Sequence, residues 1–103
     1  MLTKKQVGKV QKEVKEIEER IPFVFQALSN TTRLKIFRLL ADRKDLCVTD
    51  IAKIFQVSIP AISYQLRVLE IVGLVKKERM GKMTCYELKK NDPLVKRMMK
   101  IIK

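Results

Sequence analysis

The spacing of apolar residues predicts a helix at each end of this 103-residue chain. Over residues 4–21 the apolar positions recur at alternating steps of three and four, with Lys and Glu on the other faces. These positions are Val7, Val10, Val14, Ile17 and Ile21. Pro22 is expected to end this helix, because proline lacks the N–H that the next turn needs, and a second helix is expected over 23–28. Such a stripe packs on its own domain or on a second subunit, and this long, charged terminal helix favours a dimer contact.

The middle of the chain has the pattern of a helix-turn-helix. A helix over 33–42 follows capping residues at 29–32, and a short β-prone run at 46–48 comes next. A short helix over 50–55 and a turn over 56–58 precede another helix, with Ser58 as N-cap and Pro60 in the first turn. Gly73 is expected to end that helix. Two helices joined by a tight turn are typical of a DNA-binding unit.

After Gly73 the apolar period changes to that of a β-hairpin. Strands are expected over 74–80 and 83–88, with Gly81 and Lys82 between them. A last helix begins at residues 91–93, with Val95, Met98, Met99 and Ile102 on its apolar face. The predicted fold class is therefore mainly α with a small hairpin wing, a winged helix-turn-helix. We expect one domain over 1–103, dimerised through terminal helices at 1–21 and 92–103.

Charge and composition narrow the possible functions. The chain has 23 Lys and Arg against 11 Asp and Glu, and the resulting net charge of +12 indicates an anionic partner, either nucleic acid or an acidic membrane surface. It has no His, so a Ser-His-Asp triad and a His-containing zinc site are excluded. We expect no enzyme activity, no cofactor and no bound metal. The N-terminus lacks an apolar signal-peptide stretch and no run approaches the ~20 residues of a membrane span, so we expect a cytoplasmic protein with no membrane partner.

The helix after the turn has one apolar and one polar side. With Ile62 at the centre of the buried side, Leu66 and Leu69 fall beside it at about 100° per residue. The outward residues are Pro60, Ser63, Tyr64 and Arg67, with Gln65 at the flank. Such a face suits base edges and phosphates, and Gln65 is predicted to contact either adenine, with both amide atoms, or a phosphate. A merely solvated face is the alternative, and the exposed Tyr64 favours a DNA contact.

The hairpin is also basic. Its cations are Lys76, Lys77, Arg79 and Lys82, against the single acid Glu78. Lys82 lies at the turn, where a wing tip reaches a backbone phosphate. The alternative is that lysines on edge strands only block aggregation. The hairpin and the preceding helix together predict double-stranded DNA as the partner.

Four segments of this chain resemble the ArsR/SmtB family of winged-helix transcriptional repressors. These segments are residues 25–40 (FQALSNTTRLKIFRLL), 45–52 (DLCVTDIA), 58–75 (SIPAISYQLRVLEIVGLV) and the wing with Gly81, Lys82, Tyr86 and Leu88. The resemblance implies a homodimer joined by its first and last helices on an inverted-repeat operator, repression, and in many members an inducer that releases DNA. By motif position it implies that Ser63, Tyr64 and Gln65 read bases and that Ser58 and Arg67 contact phosphate.

The departures from the family pattern concern specificity and sensing. Gln65 replaces the usual His, and Gln56 replaces a common turn Gly, so a non-Gly residue is expected at positive φ for about 1 kcal/mol of strain. The family's inter-subunit metal site needs His. Its thiol site needs a second nearby Cys, where this chain has Thr49 beside the matching Cys47. Metal sensing by either site is not expected, and the sequence does not identify an inducer.

The two cysteines allow different interpretations. Cysteines in a reducing compartment are most often unpaired and buried. However, a strand at 46–48 commonly adds to the wing hairpin, which would place Cys47 beside Cys85 as a redox pair that ties the wing to the body. A soft metal shared between subunits is a third interpretation, which has too few ligands in each chain.

Two other classes of function remain as alternatives. One is a winged-helix module that binds protein without specific DNA binding, for which the outer face of the second helix should be apolar or acidic. Ile71 is the one outward residue that fits that class. The other is a membrane-surface protein, which requires the apolar stripe of the last helix to be exposed.

Overall fold

The computed structural model describes residues 1–102, so Lys103, at the end of the expected terminal helix, lies outside the described residues. Five helices and a three-stranded antiparallel sheet follow the order expected for a winged helix. The helices are α1 (Lys4–Leu28), α2 (Thr31–Asp42), α3 (Val48–Phe55), α4 (Ile59–Ile71) and α5 (Pro93–Ile102). The strands are β1 (Leu46–Cys47), β2 (Val75–Met80) and β3 (Met83–Leu88), with β3 in the centre.

Helix α1 continues through Pro22, so the expected break there is wrong. Pro22 removes one hydrogen bond to the Glu18 carbonyl and costs about 3 kcal/mol inside a helix. Beyond it, Val24 and Leu28 continue the apolar stripe and are buried in the core. Each buried side chain of this size contributes about 1.5–3 kcal/mol, so the two together offset the loss.

The N-terminal part of α1 projects from the body of the subunit. Thr3 and Gln6 form a reciprocal capping box at its start. Residues 4–19 are all exposed, and the chain extends 54 Å along its longest axis. Arg20 marks the base of this arm, where its guanidinium contacts the Asp92 carboxylate at 2.9 Å. Asp92 also accepts from the Leu94 N–H, so the pair joins α1 to the start of α5.

Capping side chains set the start of the central helices. Asn30 accepts from the Arg33 N–H and begins α2 two residues before the expected start. The Asp50 carboxylate accepts from the Cys47 N–H, so α3 begins at Val48 rather than at Asp50. Ser58 caps α4 by accepting from the Ala61 N–H at 3.3 Å, as expected.

The core lies between α2, α3, α4 and the base of the hairpin. Its fully buried side chains include Ile36, Phe37, Leu40, Ile51, Ile62, Leu66, Leu69, Leu74 and Val75. Helix α5 packs against this core with Val95 and Met98, which are 0% and 4% exposed. These two side chains are buried within their own subunit, and the predicted dimer contact of α5 stays a prediction. Met99 and Ile102, on the same helix, are half-buried.

The turns have the predicted backbone. Gln56 ends α3 in the left-handed region, with φ of 54° and ψ of 46°. Gly73, with φ of 81°, follows the end of α4, and Gly81, with φ of 66°, stands in the hairpin turn. Over residues 1–102, none of the helices combines the length and apolarity needed to cross a membrane.

Candidate nucleic-acid interface

Helix α4 presents a continuous exposed ridge. Pro60, Tyr64 and Arg67 stand one turn apart along it, and the Tyr64 residue is 63% exposed. Ser63 is half-buried at the side of the ridge. The opposite side of α4 carries Ile62, Leu66 and Leu69 and is fully buried in the core. The ridge is therefore held rigidly by the core beneath it, while its polar groups stay free for a ligand.

The capping residue Ser58 has a role of its own at this surface. Ser58 is exposed, and its hydroxyl oxygen already accepts a hydrogen bond from the Ala61 N–H. The hydroxyl proton remains available for an acceptor such as a phosphate oxygen, and the N-terminus of a helix favours negative charge. The structure thus leaves the predicted phosphate contact at Ser58 chemically possible.

The two faces of the hairpin differ in charge. Side chains alternate along each strand, and residues opposite each other across an antiparallel pair share a face. Lys77 stands opposite Tyr86, and Arg79 stands opposite Thr84. This cationic wing face (Lys77 and Arg79) bears no carboxylate on either strand. It lies on the side of the sheet that carries Val75, Tyr86 and Leu88. These three residues share one core with α4, and α4 packs beside β2.

The other side is the acidic wing face (Glu78 and Glu87). Carboxylate oxygens of Asp45, Glu78 and Glu87 all lie within 4.8 Å of one another there. Lys76 lies on this face and contacts Glu87 at 2.9 Å. The hydrogen bond and the charge of Glu87 raise the pKa of Lys76. Lys76 is therefore balanced within its own subunit, unlike Lys77 and Arg79.

A groove separates the tip of the wing from α4. Ile59 and Ser63 line it from the helix, and Lys82, Met83 and Thr84 line it from the hairpin. Lys82 is exposed at the turn, as expected. The third wall comes from residues 47–49, at the start of α3. The Lys82 ammonium of the hairpin and the Ser63 hydroxyl of α4 thus line the same groove.

The structure brings Cys47 and Cys85 together in a disulfide bond. The two residues are direct partners across the β1–β3 pairing. Cys47 is 8% exposed and lines the groove beside the wing tip, whereas Cys85 is 1% exposed. The bond links the start of α3 to the wing, as in the paired interpretation of the sequence.

Gln65 is not free at the flank of α4. Its side-chain oxygen accepts from Arg33 Nη1 at 2.7 Å, and the residue is half-buried. Arg33 lies on α2 and also donates from Nε to the Ala27 carbonyl at 2.8 Å. Sequence reasoning did not identify Arg33, because its side-chain partner stands 32 positions away and no local pattern marks it.

The N-terminal arm of α1 carries an unpartnered apolar stripe. Val7, Val10, Val14 and Ile17 are each 38–45% exposed. At the other end of the helix the same stripe enters the core through Val24 and Leu28. The predicted contact residues of α1 are thus available on the surface of the subunit.

Comparisons with known proteins agree with this architecture. Residues 30–77 match the family model described as bacterial regulatory protein, arsR family. The chain is 40% identical over 88 residues to the transcriptional repressor SmtB homolog of Synechocystis sp., covering 84% of this chain and 66% of that protein. It is 36% identical over 94 residues to the cadmium resistance transcriptional regulatory protein CadC homolog of Staphylococcus aureus, covering 87% of this chain and 76% of that protein.

A solved structure agrees as well. The homodimeric winged helix-turn-helix DNA-binding domain of a possible ArsR-family regulator from Mycobacterium bovis superposes with a TM-score of 0.72 at 27% identity. The match covers 85% of this chain and 79% of that one. Sequence motifs, fold and relatives agree, and the chain belongs to the ArsR family of winged helix-turn-helix transcriptional regulators.

Proposed function

We propose that this chain is a homodimeric repressor that binds double-stranded DNA at an inverted-repeat operator. The observation that carries the proposal is the exposed ridge of α4 beside the cationic wing face. An α-helix fits the major groove, and cations beside it reach the flanking phosphates. Relatives named as repressors support the direction of regulation. Because the proposed ligand is genomic DNA, we place its action in the cytoplasm.

Within this proposal the residues divide into two groups. Ser63 and Tyr64 read base edges together with Gln65, while Ser58, Arg67 and Lys82 contact phosphate. Lys77 and Arg79 add phosphate contacts from the cationic wing face. Lys76, which belongs to the sequence-predicted set, is engaged with Glu87 and contributes little.

The homodimer is supported by the apolar stripe on the arm of α1. An exposed helix with apolar residues at steps of three and four packs well against a second helix. The related domain from Mycobacterium bovis is described as homodimeric. A two-fold dimer places two recognition helices on one duplex, so an inverted repeat is the expected operator.

We also propose that the Cys47–Cys85 bond controls DNA affinity. It fixes the wing to the start of α3, and residues 82–84 of the wing share the groove with Ser63 of α4. A dithiol reductant would convert the disulfide to two thiols while becoming a disulfide itself. The released wing would hold its cations less firmly beside α4, so reduction should weaken DNA binding.

Binding to a random-sequence duplex tests the ligand class. We expect a fluorescent 30-base-pair duplex to bind the chain with an affinity that falls steeply as salt rises, because cations on the protein displace counterions. Vesicles containing anionic phosphatidylglycerol should not compete with the duplex. Absence of duplex binding at low salt, or equal binding to the vesicles, would contradict the proposal.

A further inference from the structure

The side chain of Arg33 joins three helices. It lies on α2, its Nε donates to the Ala27 carbonyl at the end of α1, and its Nη1 donates to the Gln65 oxygen on α4. The distances are 2.8 Å and 2.7 Å, and both contacts are partly buried. Asn30 also holds the Arg33 backbone through the cap of α2. The guanidinium is therefore fixed from two sides when it meets the amide of Gln65.

Chemistry decides which amide atom of Gln65 faces Arg33. A guanidinium donates hydrogen bonds and accepts none, so its partner must be the side-chain oxygen. The amide nitrogen makes no hydrogen bond with residues 1–102. Every fully buried side-chain nitrogen or oxygen in this part of the chain has a partner, so this unbonded nitrogen reaches solvent. The nitrogen is thus the free, solvent-accessible end of the amide.

We infer that Arg33 is a positioning residue that makes Gln65 a hydrogen-bond donor to DNA. This inference rests on the proposed function. A freely rotating Gln reads adenine with both amide atoms together, accepting from N6 and donating to N7. Here the oxygen is turned toward α2, so that bidentate contact is lost. The remaining N–H₂ group matches acceptors: guanine O6 or N7, adenine N7, thymine O4, or a phosphate oxygen.

The consequence is a change in the operator bases expected opposite Gln65. The wild-type chain should not prefer adenine to guanine there, because both purines offer N7 to the amide donor and only guanine adds a second acceptor, O6. It should select guanine or thymine if the amide reaches a base, and no base if it reaches a phosphate. In the phosphate case, loss of the amide should weaken all duplexes equally.

Selection from a random duplex pool, run in parallel on four proteins, tests this inference. The proteins are the wild type, Arg33→Met, Gln65→Met and the control Arg38→Met, which removes a charge from an exposed position on the same helix. The position that loses its preference in Gln65→Met is the one read by Gln65. At that position Arg33→Met should gain adenine by about 5- to 150-fold, the range of a good bidentate pair. Arg38→Met should select the wild-type sequence.

The outcomes separate the inference from the proposed function. Adenine selected over guanine by the wild type at the Gln65-dependent position overturns the inference. Where Gln65 reads a base, an Arg33→Met pool identical to the wild-type pool also overturns it. Because Arg33→Met could fail to fold, Gln65→Glu provides a second test: its carboxylate keeps a partner for Arg33 but has no N–H to donate. This variant should lose the guanine or thymine preference, or bind every duplex more weakly in the phosphate case, and unchanged binding would refute the donor role. If the wild type enriches no sequence, the proposed function fails instead.

Discussion

At the scale of single residues, the cations of the wing are not equivalent. Lys76 and Lys77 are neighbours in sequence but lie on opposite faces of the hairpin. Lys76 pairs with Glu87, whereas Lys77 stands opposite Tyr86 and is exposed. The sequence pattern placed all the wing cations in one basic cluster, because it did not show which strand residues stand opposite one another. Pairing register, which depends on contacts across the sheet, decides which charge is free.

Replacing these two lysines should therefore have different effects on DNA binding. We expect Lys77→Ala to weaken binding to every duplex and to reduce the slope of log affinity against log salt by about 0.9. The matched control Lys76→Ala, which removes a charge already balanced by Glu87, should leave both nearly unchanged. Fluorescence anisotropy over a range of salt concentrations measures both quantities. Equal losses for the two variants would show that the faces of the wing are not distinct.

Gln56 is a local feature that the sequence did predict. A turn of three residues between two helices requires a left-handed residue, and Gln56 has φ of 54° there. Gln56→Gly should stabilise the fold by about 0.5–1 kcal/mol, because Gly has no Cβ to resist this conformation. Gln56→Ala keeps the Cβ and should change stability little. Urea unfolding of both variants measures the difference, and a Gly variant less stable than the Ala variant would contradict the strain.

The side-chain contacts of Arg33 could not be predicted from the local sequence pattern. The caps at Asn30 and Ser58 follow from residues three positions apart, so the sequence was sufficient for them. The partners of the Arg33 guanidinium belong to two other helices. That contact exists only after α1, α2 and α4 have packed together. The sequence pattern of α4 alone therefore did not predict which way the Gln65 amide is turned.

At the scale of elements, α1 combines two functions in one helix. Its C-terminal residues belong to the core, and residues 4–19 form an exposed arm. The expected break at Pro22 was wrong because the pattern rule considers the lost hydrogen bond and not the burial that follows it. The apolar spacing itself was sufficient to predict the exposed stripe of the arm.

The arm should hold the dimer together. We expect Val10→Asp combined with Val14→Asp to convert the protein to a monomer of 12.1 kDa, because two buried carboxylates are costly in a helix interface. Lys12→Asp, on the opposite side of the arm, is the matched control and should remain dimeric. Sedimentation equilibrium measures the mass. A monomeric wild type, or a dimeric double variant, would show that the arm is not the interface.

The disulfide gives the wing an additional connection to α3. It closes a loop with a sequence separation of 38, and loops of this length contribute about 2–4 kcal/mol in the chain-entropy account. Dithiothreitol should lower the free energy of unfolding of the wild type by that amount and weaken its DNA binding. The variant with Cys47→Ser and Cys85→Ser should match the reduced wild type and not respond to dithiothreitol. A DNA affinity that is equal in oxidised and reduced wild type would leave the bond with a structural role only.

At the scale of the whole molecule, the net charge of +12 is divided among surfaces with different roles. The arm of α1 mixes Lys with Glu, and the acidic wing face neutralises Lys76. Among residues 1–102, the exposed cations of α4 and the wing that form no ion pair are Arg67, Lys77, Arg79 and Lys82. The composition indicated the negative charge of the partner. The fold determines which cations can contact one duplex together.

A two-fold dimer of this chain should read a specific duplex. Selection of bound DNA from a random pool, followed by sequencing, tests this property. We expect enrichment of an inverted repeat whose half-sites lie about one helical turn apart, with centres separated by 10–10.5 base pairs or a multiple of that distance. A pool that stays random after repeated rounds, or one that converges on a single half-site without symmetry, would contradict it.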